Sequence, residues 1–314
     1  MPAVKRVEVA AAVMVNSRGE FLLAQRPPGK VYAGYWEFPG GKVEPGESAA
    51  AALKRELHEE LGVEVKTAYP WLTREFDYAH AAVTLRFFRV VEWHGELHGR
   101  EQQQFAWQSI SKINVSPILP ANGPILLGLE LPHHYGISCV AQIGRQAFMQ
   151  KFESALAGGL RLVQVREKQL EESALIELTR ELVAVARRYD ARILVNAAPQ
   201  VALAAGADGV HLSSAALMAC QRRPDVAWCG ASCHDAAELQ QARALGVDFV
   251  ALGSVAPTLS HPGVQPLGWE KFSALIENYP LPVYALGGMT PADLQPAWQH
   301  GAHGIAMLRG AWGL

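Results

Sequence analysis

G-G-K-V-E-P-G-E-S-A-A-A-A-L-K-R-E-L-H-E-E-L-G-V runs from Gly40 to Val63. Gly40, Gly41 and Gly46 predict a tight loop, since glycine alone takes positive φ at no steric cost. A helix is expected to begin near Ser48, with Glu47 near its positive end. Leu53, Leu57 and Leu61 recur every four residues and form one buried stripe. Glu56, Glu59 and Glu60 stand at i, i+3 and i+4, which places three carboxylates on one helix face. At that spacing like charges repel, by about a few tenths of a kcal/mol in an isolated helix. A lone E-x-x-E-E reads as a solvated acidic face. Set against a glycine loop, the three acids read as a site for a hard cation. Mg²⁺ takes oxygen ligands and reaches substrate phosphates through a few carboxylates.

Outward from this stretch, Val7 to Val15 reads as a strand, with Phe21 to Gln25 as its hairpin partner across Asn16-Ser17-Arg18-Gly19. Strands are also expected over Val63 to Tyr69, Trp71 to Tyr78, Ala82 to Trp93 and Gln104 to Gln108, and a last helix over Ile125 to Leu129. A mixed sheet with helices packed on it is the α/β arrangement this pattern predicts.

The spacing G-x5-E-x7-R-E-U-x-E-E-x-G-U, with U a bulky aliphatic, is met from Gly41 to Val63 without departure. It resembles the Nudix box, whose family hydrolyses nucleoside diphosphates linked to another group. Residues 5–129 are similar to the MutT type of that family, the 8-oxo-dGTP pyrophosphohydrolases. The likeness includes W-E-F-P-G-G-K at Trp36 to Lys42, V-T-L-R-F-F at Val83 to Phe88 and P-A-N-G-P at Pro120 to Pro124. It implies a Nudix α/β/α sandwich that uses Mg²⁺ or Mn²⁺ and clears oxidised nucleotides from the pool that feeds DNA synthesis. It also implies that the Gly40 carbonyl, Glu56, Glu59, Glu60 and Glu101 hold the metal. Glu56 would be the first choice to deprotonate or orient water. Arg26 would meet the nucleotide, Glu37 and Phe38 would flank the base, Asn122 would hydrogen-bond it, and Glu47 would pair with Arg55. Taken singly, Trp36 and Phe38 read as core, Arg26 as a surface charge, Asn122 as a turn residue and Glu101 as a solvated loop acid. Their joint placement around the box carries the functional reading.

At 314 residues, half of them hydrophobic, the chain is long enough for two cores. The expected domains are 1–131 and 132–314. The 28 basic and 30 acidic side chains divide evenly, 14 and 15 in each half. Neither half has the basic excess of a nucleic-acid-binding module. No apolar run approaches the roughly 18 residues of a membrane helix, and Met1 to Arg6 lacks a signal-peptide core. Cys139, Cys220, Cys229 and Cys233 form no C-x-x-C and read as reduced thiols of a cytoplasmic protein.

After a linker over Glu130 to Gly136 the rhythm changes to short apolar strands alternating with helices. Eight strands are expected: Ile137–Val140, Leu162–Val165, Ile193–Val195, Gly209–Leu212, Trp228–Gly230, Phe249–Leu252, Val283–Ala285 and Gly304–Met307. That count predicts a compact (β/α)8 barrel with its chemistry at the strand ends. Q-V-R-E-K at Gln164 to Lys168, G-A-D-G-V-H-L at Gly206 to Leu212 and A-L-G-G-M at Ala285 to Met289 resemble the thiamine phosphate synthase and thiazole tautomerase family. The resemblance implies a ligand site from Gln164, Arg166, Lys168, Asn196, His234, Gly287 and Gly288, for a phosphorylated small molecule. Synthases of this family hold pyrophosphate and Mg²⁺ with an Asn-Asp pair and with acids after H-L-G-Q. Here Ala197 follows Asn196, Leu212 runs into Ser213-Ser214-Ala215-Ala216, and the usual T-K is Ser260-His261. These departures imply a barrel that makes no thiamine phosphate. His234 reads either as a helix-start histidine or as a proton carrier in a tautomerase-like step. The whole chain then reads as a triphosphate pyrophosphohydrolase joined to a ligand-binding, regulatory or tautomerase barrel. A hydrolase of thiamine-related pyrophosphates is the competing reading.

Overall fold

The computed structural model describes residues 6–99, 103–258, 263 and 265–314. Two compact units meet in sequence between Glu130 and Leu131. Glu101, Ser260 and His261 lie outside the described residues.

In the first unit the elements are β1 (Val7–Met14), β2 (Phe21–Gln25), β3 (Trp36–Glu37), β4 (Gly40–Lys42), α1 (Ala49–Leu61), β5 (Glu64–Tyr78), β6 (Ala81–His94), β7 (Phe105–Gln108) and α2 (Gly123–Leu129). One sheet has the order β4-β1-β6-β5 and the other β3-β2-β7. β1 runs parallel to β6 and antiparallel to β4, so the first sheet is mixed. From Ala10 to Met14, β1 is apolar on both faces because both are covered. Ala10, Ala12 and Met14 pack with Leu53, Leu57 and Leu61 of α1. Ala11 and Val13 pack with Phe21, Phe87 and Ile125 on the other side. Each buried leucine of α1 contributes about 1.5–3 kcal/mol by leaving water.

Two expectations are corrected here. β2 is not the hairpin partner of β1; they share only the bridge Val15↔Phe21, and β2 pairs with β3 and β7. Both edges of β1 are already taken by β4 and β6. The two strands expected on either side of Pro70 are one strand, β5, with a register shift between Pro70 and Thr73. β5 lies at the sheet edge, where proline forfeits no ladder bond.

The second unit is a closed barrel of eight parallel strands. They are β8 (His134–Ile137), β9 (Leu162–Val165), β10 (Arg192–Val195), β11 (Gly209–Leu212), β12 (Trp228–Cys233), β13 (Phe249–Gly253), β14 (Val283–Leu286) and β15 (Gly304–Met307). Around them stand α3 (Val140–Ile143), α4 (Arg145–Ala157), α5 (Glu172–Ala186), α6 (Pro199–Ala205), α7 (Ser214–Ala219), α8 (Ala236–Leu245), α9 (Gly268–Ile276) and α10 (Leu294–Gln299). β15 pairs with β8 and closes the ring. β8 begins three residues before the expected Ile137, inside the segment read as a linker, because the buried Tyr135 points into the lumen core. Among the described residues no helix is long and apolar enough to cross a membrane. The four cysteines are unbridged.

Candidate active site and barrel cavity

The site of the first unit is built on two glycines with different duties. Gly40 sits at φ 145°, and a Cβ there would lie 2.1 Å from the Ala10 carbonyl oxygen. Backbone meets backbone, so only glycine lets β4 close on β1. Gly41 leaves room of another kind. A Cβ on it would lie 2.1 Å from the Glu56 carboxyl carbon, so the carboxylate fills the space that a side chain would take.

Helix α1 aims the acids. Ser48 caps it by accepting from Ala51 N–H at 3.2 Å, and Gly62 ends it in the left-handed region, donating to the His58 carbonyl. Arg55 is the hub. It donates to both Glu47 oxygens at 3.1 and 3.0 Å and to the Lys42 carbonyl at 3.0 Å. Its Nη1 lies 3.0 Å from Glu56 and 3.2 Å from Glu59. The Arg55 hydrogen bonds hold Glu47 below the usual carboxylate range. Glu60 accepts from Gly40 N–H at 3.3 Å and from Gln103 at 3.4 Å.

Burial, with the Glu56 charge adding to it, pushes the Glu60 carboxyl up to about 7. Like charges held beside one another and half out of water are what a divalent cation relieves, so the donor set fits one. Glu59 does not yet join them. Its side chain is 56% exposed and turned to Arg55. Among the described residues no three acidic, histidine or cysteine side chains converge as a ready metal cluster. Because Glu60 titrates above its ordinary 4.5, the folded chain keeps a proton that the unfolded chain has released. Stability therefore falls as pH rises from about 4.5 to about 7. In chelator-treated protein the loss is expected to be on the order of 2 kcal/mol. Thermal melts at about pH 5 and about pH 8 measure it, and Glu60→Gln should flatten the difference.

The expected base site is partly redrawn. Arg26 is committed: its Nη1 pairs with Glu37 at 2.5 Å and its Nε donates to the Val31 carbonyl at 2.7 Å. Burial raises the Glu37 pKa against the opposing pull of Arg26. Phe38, expected beside the base, is a core side chain at 3% exposure, packed with Phe21 and Phe87. Asn122 ends a single 3-10 turn over Pro120–Asn122. The residue is 4% exposed, and its side-chain amide nitrogen is buried with no hydrogen-bond partner among the described residues. The Tyr78 hydroxyl meets the backbone of the neighbouring Ala121, and burial with the Glu37 charge pushes Tyr78 up to about 12. Tyr78 was not singled out by the sequence, because an aromatic at a strand end carries no motif.

In the barrel the structure gathers few of the expected ligand residues. Arg166 and Lys168 line a cavity of about 330 Å³ with Ser138, Cys139, Gln142 and Leu308. Among the described residues the half-buried Arg166 guanidinium has no hydrogen-bond acceptor, and burial pulls its pKa down. Glu167 is spent on structure, accepting from Ser138 Oγ at 2.6 Å and from the backbone of Val140 and Ala141. Gln164 belongs to the lumen, where it donates to the Tyr135 hydroxyl at 3.1 Å. Tyr135 meets His211 Nδ1 at 3.0 Å, and His211 Nε2 meets Ser232 Oγ at 3.0 Å. Burial holds His211 down at about 3, so this chain of groups is neutral. Asn196 donates to the His211 carbonyl at 2.7 Å. His234 pairs through Nδ1 with Glu238 at 2.9 Å at the start of α8. Gly287 and Gly288 follow β14 and lie against Ser254 and Ala256. Asp208 accepts from Ile193 N–H at 2.7 Å, at the N-terminal ends of the strands and away from the cavity.

Residues 5–127 match the family model for the NUDIX domain, and residues 134–311 match that for thiamine monophosphate synthase. The first half is similar to an Escherichia coli protein named CTP pyrophosphohydrolase, 40% identical over 122 residues, or 39% of this chain and 90% of that one. It is also similar to the 8-oxo-dGTP diphosphatase of Haemophilus influenzae, 38% identical over the same shares. The second half is 36% identical over 180 residues to an Aquifex aeolicus protein named "Putative thiamine-phosphate synthase 2", covering 57% of this chain and 96% of the relative. The chain is thus a fusion of two families, belonging through its first half to the Nudix hydrolases, which act on phosphoric anhydrides, and through its second to the thiamine monophosphate synthase family.

Proposed function

We propose that the first unit hydrolyses nucleoside triphosphates to the monophosphate and pyrophosphate, with 8-oxo-dGTP as preferred substrate, and so clears oxidised nucleotides before DNA synthesis. The observation that carries this reading is Asn122. A buried amide donor without an acceptor costs free energy, about 1–3 kcal/mol, until a ligand supplies one. A base carbonyl does so, and a site that bonds the altered edge of an oxidised base rejects the parent base strongly. Relatives named for 8-oxo-dGTP and for CTP support the substrate class. The Gly40 carbonyl, Glu56, Glu59 and Glu60 would hold Mg²⁺, or Mn²⁺ in its place. Such a cation neutralises phosphate oxygens and lowers the pKa of bound water. Glu56, set over Gly41 and steadied by Arg55, orients or deprotonates the water that attacks the β-phosphorus. Arg55 holds the loop to the helix and keeps the acids from splaying. Asn122→Ala should lower the preference for 8-oxo-dGTP over dGTP by about tenfold while dGTP hydrolysis changes less. Steady-state kinetics on both substrates measure it. Equal losses would reduce Asn122 to a turn residue.

For the barrel, the half-buried Arg166 at the cavity, with no acceptor among the described residues, supports binding of a phosphorylated small molecule. Departure of pyrophosphate needs a cation held by carboxylates. Ala197, Ala215 and Ala216 stand where the family's ligands would be, and Asp208 faces the other end. The full chain given a pyrimidine pyrophosphate and a thiazole phosphate is expected to form no thiamine phosphate. Steady formation of that product would overturn this reading.

A further inference from the structure

Beside the candidate metal site, Gln103 is a glutamine with one end unused. It stands two residues before Phe105, the first residue of β7. Its backbone is pinned on both sides. A Cβ on Gly99 would lie 2.3 Å from the Gln103 carbonyl oxygen, and Gln25 N–H donates to the neighbouring Gln104 carbonyl at 2.7 Å. The half-buried side chain reaches Glu60 of α1. Its Nε2 donates to Glu60 Oε1 at 3.4 Å, long for an N–H···O bond. Its Oε1 is buried and, among the described residues, has no hydrogen-bond partner. The other Glu60 oxygen accepts from Gly40 N–H at 3.3 Å. Glu60 thus links β4 to the entry of β7, with one long donor at each oxygen. A residue kept only to hold Glu60 would do so at ordinary length and would leave its own oxygen on a donor or in water. A buried carbonyl oxygen without a donor costs free energy until a partner is supplied. Three glutamines in a row at 102–104 carry no motif, so the sequence did not single this one out.

We propose that Gln103 is a neutral oxygen ligand of the divalent cation, its amide turning on loading so that Oε1 takes the place of Nε2. The inference rests on the metal-dependent reading of this site and deepens it. Hard divalent cations accept side-chain amide oxygens beside carboxylates. A neutral ligand suits this site, because it adds an oxygen without adding to the repulsion among Glu56, Glu59 and Glu60. Torsion about the last side-chain bond of glutamine is soft, and the two ends of the amide have nearly the same shape. The turn therefore needs no shift of the pinned backbone. Without a cation, the amide N–H supplies the partial positive charge that Glu60 faces. With a cation bound, the carboxylate no longer needs that donor, and the orphaned oxygen gains a partner.

The test uses the full chain with Gln103→Leu and Gln103→Glu, and Mn²⁺ alone as the probe. Electron paramagnetic resonance follows free Mn²⁺, and thermal melts are run in chelator. Gln103→Leu removes both ends of the amide and nearly keeps its volume. It is expected to melt within about 3 °C of the wild type in chelator, since an orphaned oxygen leaves with a weak donor. It is expected to bind Mn²⁺ about tenfold more weakly. Gln103→Glu keeps an oxygen and loses the donor. It is expected to melt below the wild type in chelator, because a second carboxylate then faces Glu60, and to bind Mn²⁺ at least as tightly as the wild type. A residue that serves only as a donor to Glu60 would give the same change in affinity in both variants. Equal weakening in the two would therefore overturn the ligand role, as would a Gln103→Leu variant that binds as the wild type does. If Gln103→Leu does not fold, Gln103→Glu decides alone, and weaker binding by it overturns the proposal. A wild-type chain that binds Mn²⁺ no better than Glu56→Gln would remove the metal reading of the site and the Gln103 ligand with it.

Discussion

Glu56→Gln is expected to lower kcat for triphosphate hydrolysis by about a thousandfold while the chain folds as before. The substitution keeps the shape of the side chain that fills the space over Gly41. The amide oxygen can still accept from Arg55 Nη1, now 3.0 Å away. What is lost is a negative, proton-accepting oxygen at the water. Turnover at saturating Mg²⁺ and a thermal melt separate the two effects. Activity within about tenfold of wild type would show that another carboxylate positions the water.

The two glycines of β4, Gly40 and Gly41, are expected to fail in opposite ways. In Gly40→Ala the new methyl meets the Ala10 carbonyl oxygen and the Ala11 Cα, both backbone, at a φ that disfavours any side chain. Neither atom can move without unzipping β4 from β1. A loss above about 3 kcal/mol is expected, with activity lost through unfolding. In Gly41→Ala the methyl meets only the end of a flexible glutamate. The fold should tolerate that within about 1 kcal/mol. Displacing the Glu56 carboxylate by about 1 Å should still cost about a hundredfold in kcat. Denaturant unfolding and kinetics on the same preparations distinguish the pair. Similar stability losses in both variants would mean that Glu56 does not rest over Gly41.

The parts of the fold that were legible in the sequence are those whose causes are local. Helix α1 announces its own cap at Ser48 and its stripe at Leu53, Leu57 and Leu61, all within one window. The barrel strands were legible because apolar runs alternate with helical periods, and three of the eight have the expected bounds. Errors arose where a partner far along the chain decides. A turn at Asn16 to Gly19 is visible in sequence, but β4 and β6 occupying both edges of β1 is not. Asn196 and Gln164 look like ligand donors until His211 and Tyr135 are found to use them. Phe38 belongs to the core that Phe21 and Phe87 complete from other strands. Gly40 and Gly41, expected in a tight loop, stand instead in β4 paired with β1, and the duty of Gly41 toward Glu56 depends on how α1 returns to that strand. Relatives of the first half differ in the base they are named for, CTP in one and 8-oxo-dGTP in another. Under the proposed reading, base choice falls to Asn122 rather than to the box.

The central claim is that the first unit cleaves nucleoside triphosphates between the α- and β-phosphates. Phosphorus NMR of reaction products, with 8-oxo-dGTP, dGTP, CTP and thiamine pyrophosphate supplied separately in Mg²⁺, tests it most directly. The account predicts pyrophosphate and a nucleoside monophosphate, formed fastest from 8-oxo-dGTP and slowed about a thousandfold by Glu56→Gln. Release of phosphate from thiamine pyrophosphate, with the nucleotides left intact, would contradict it.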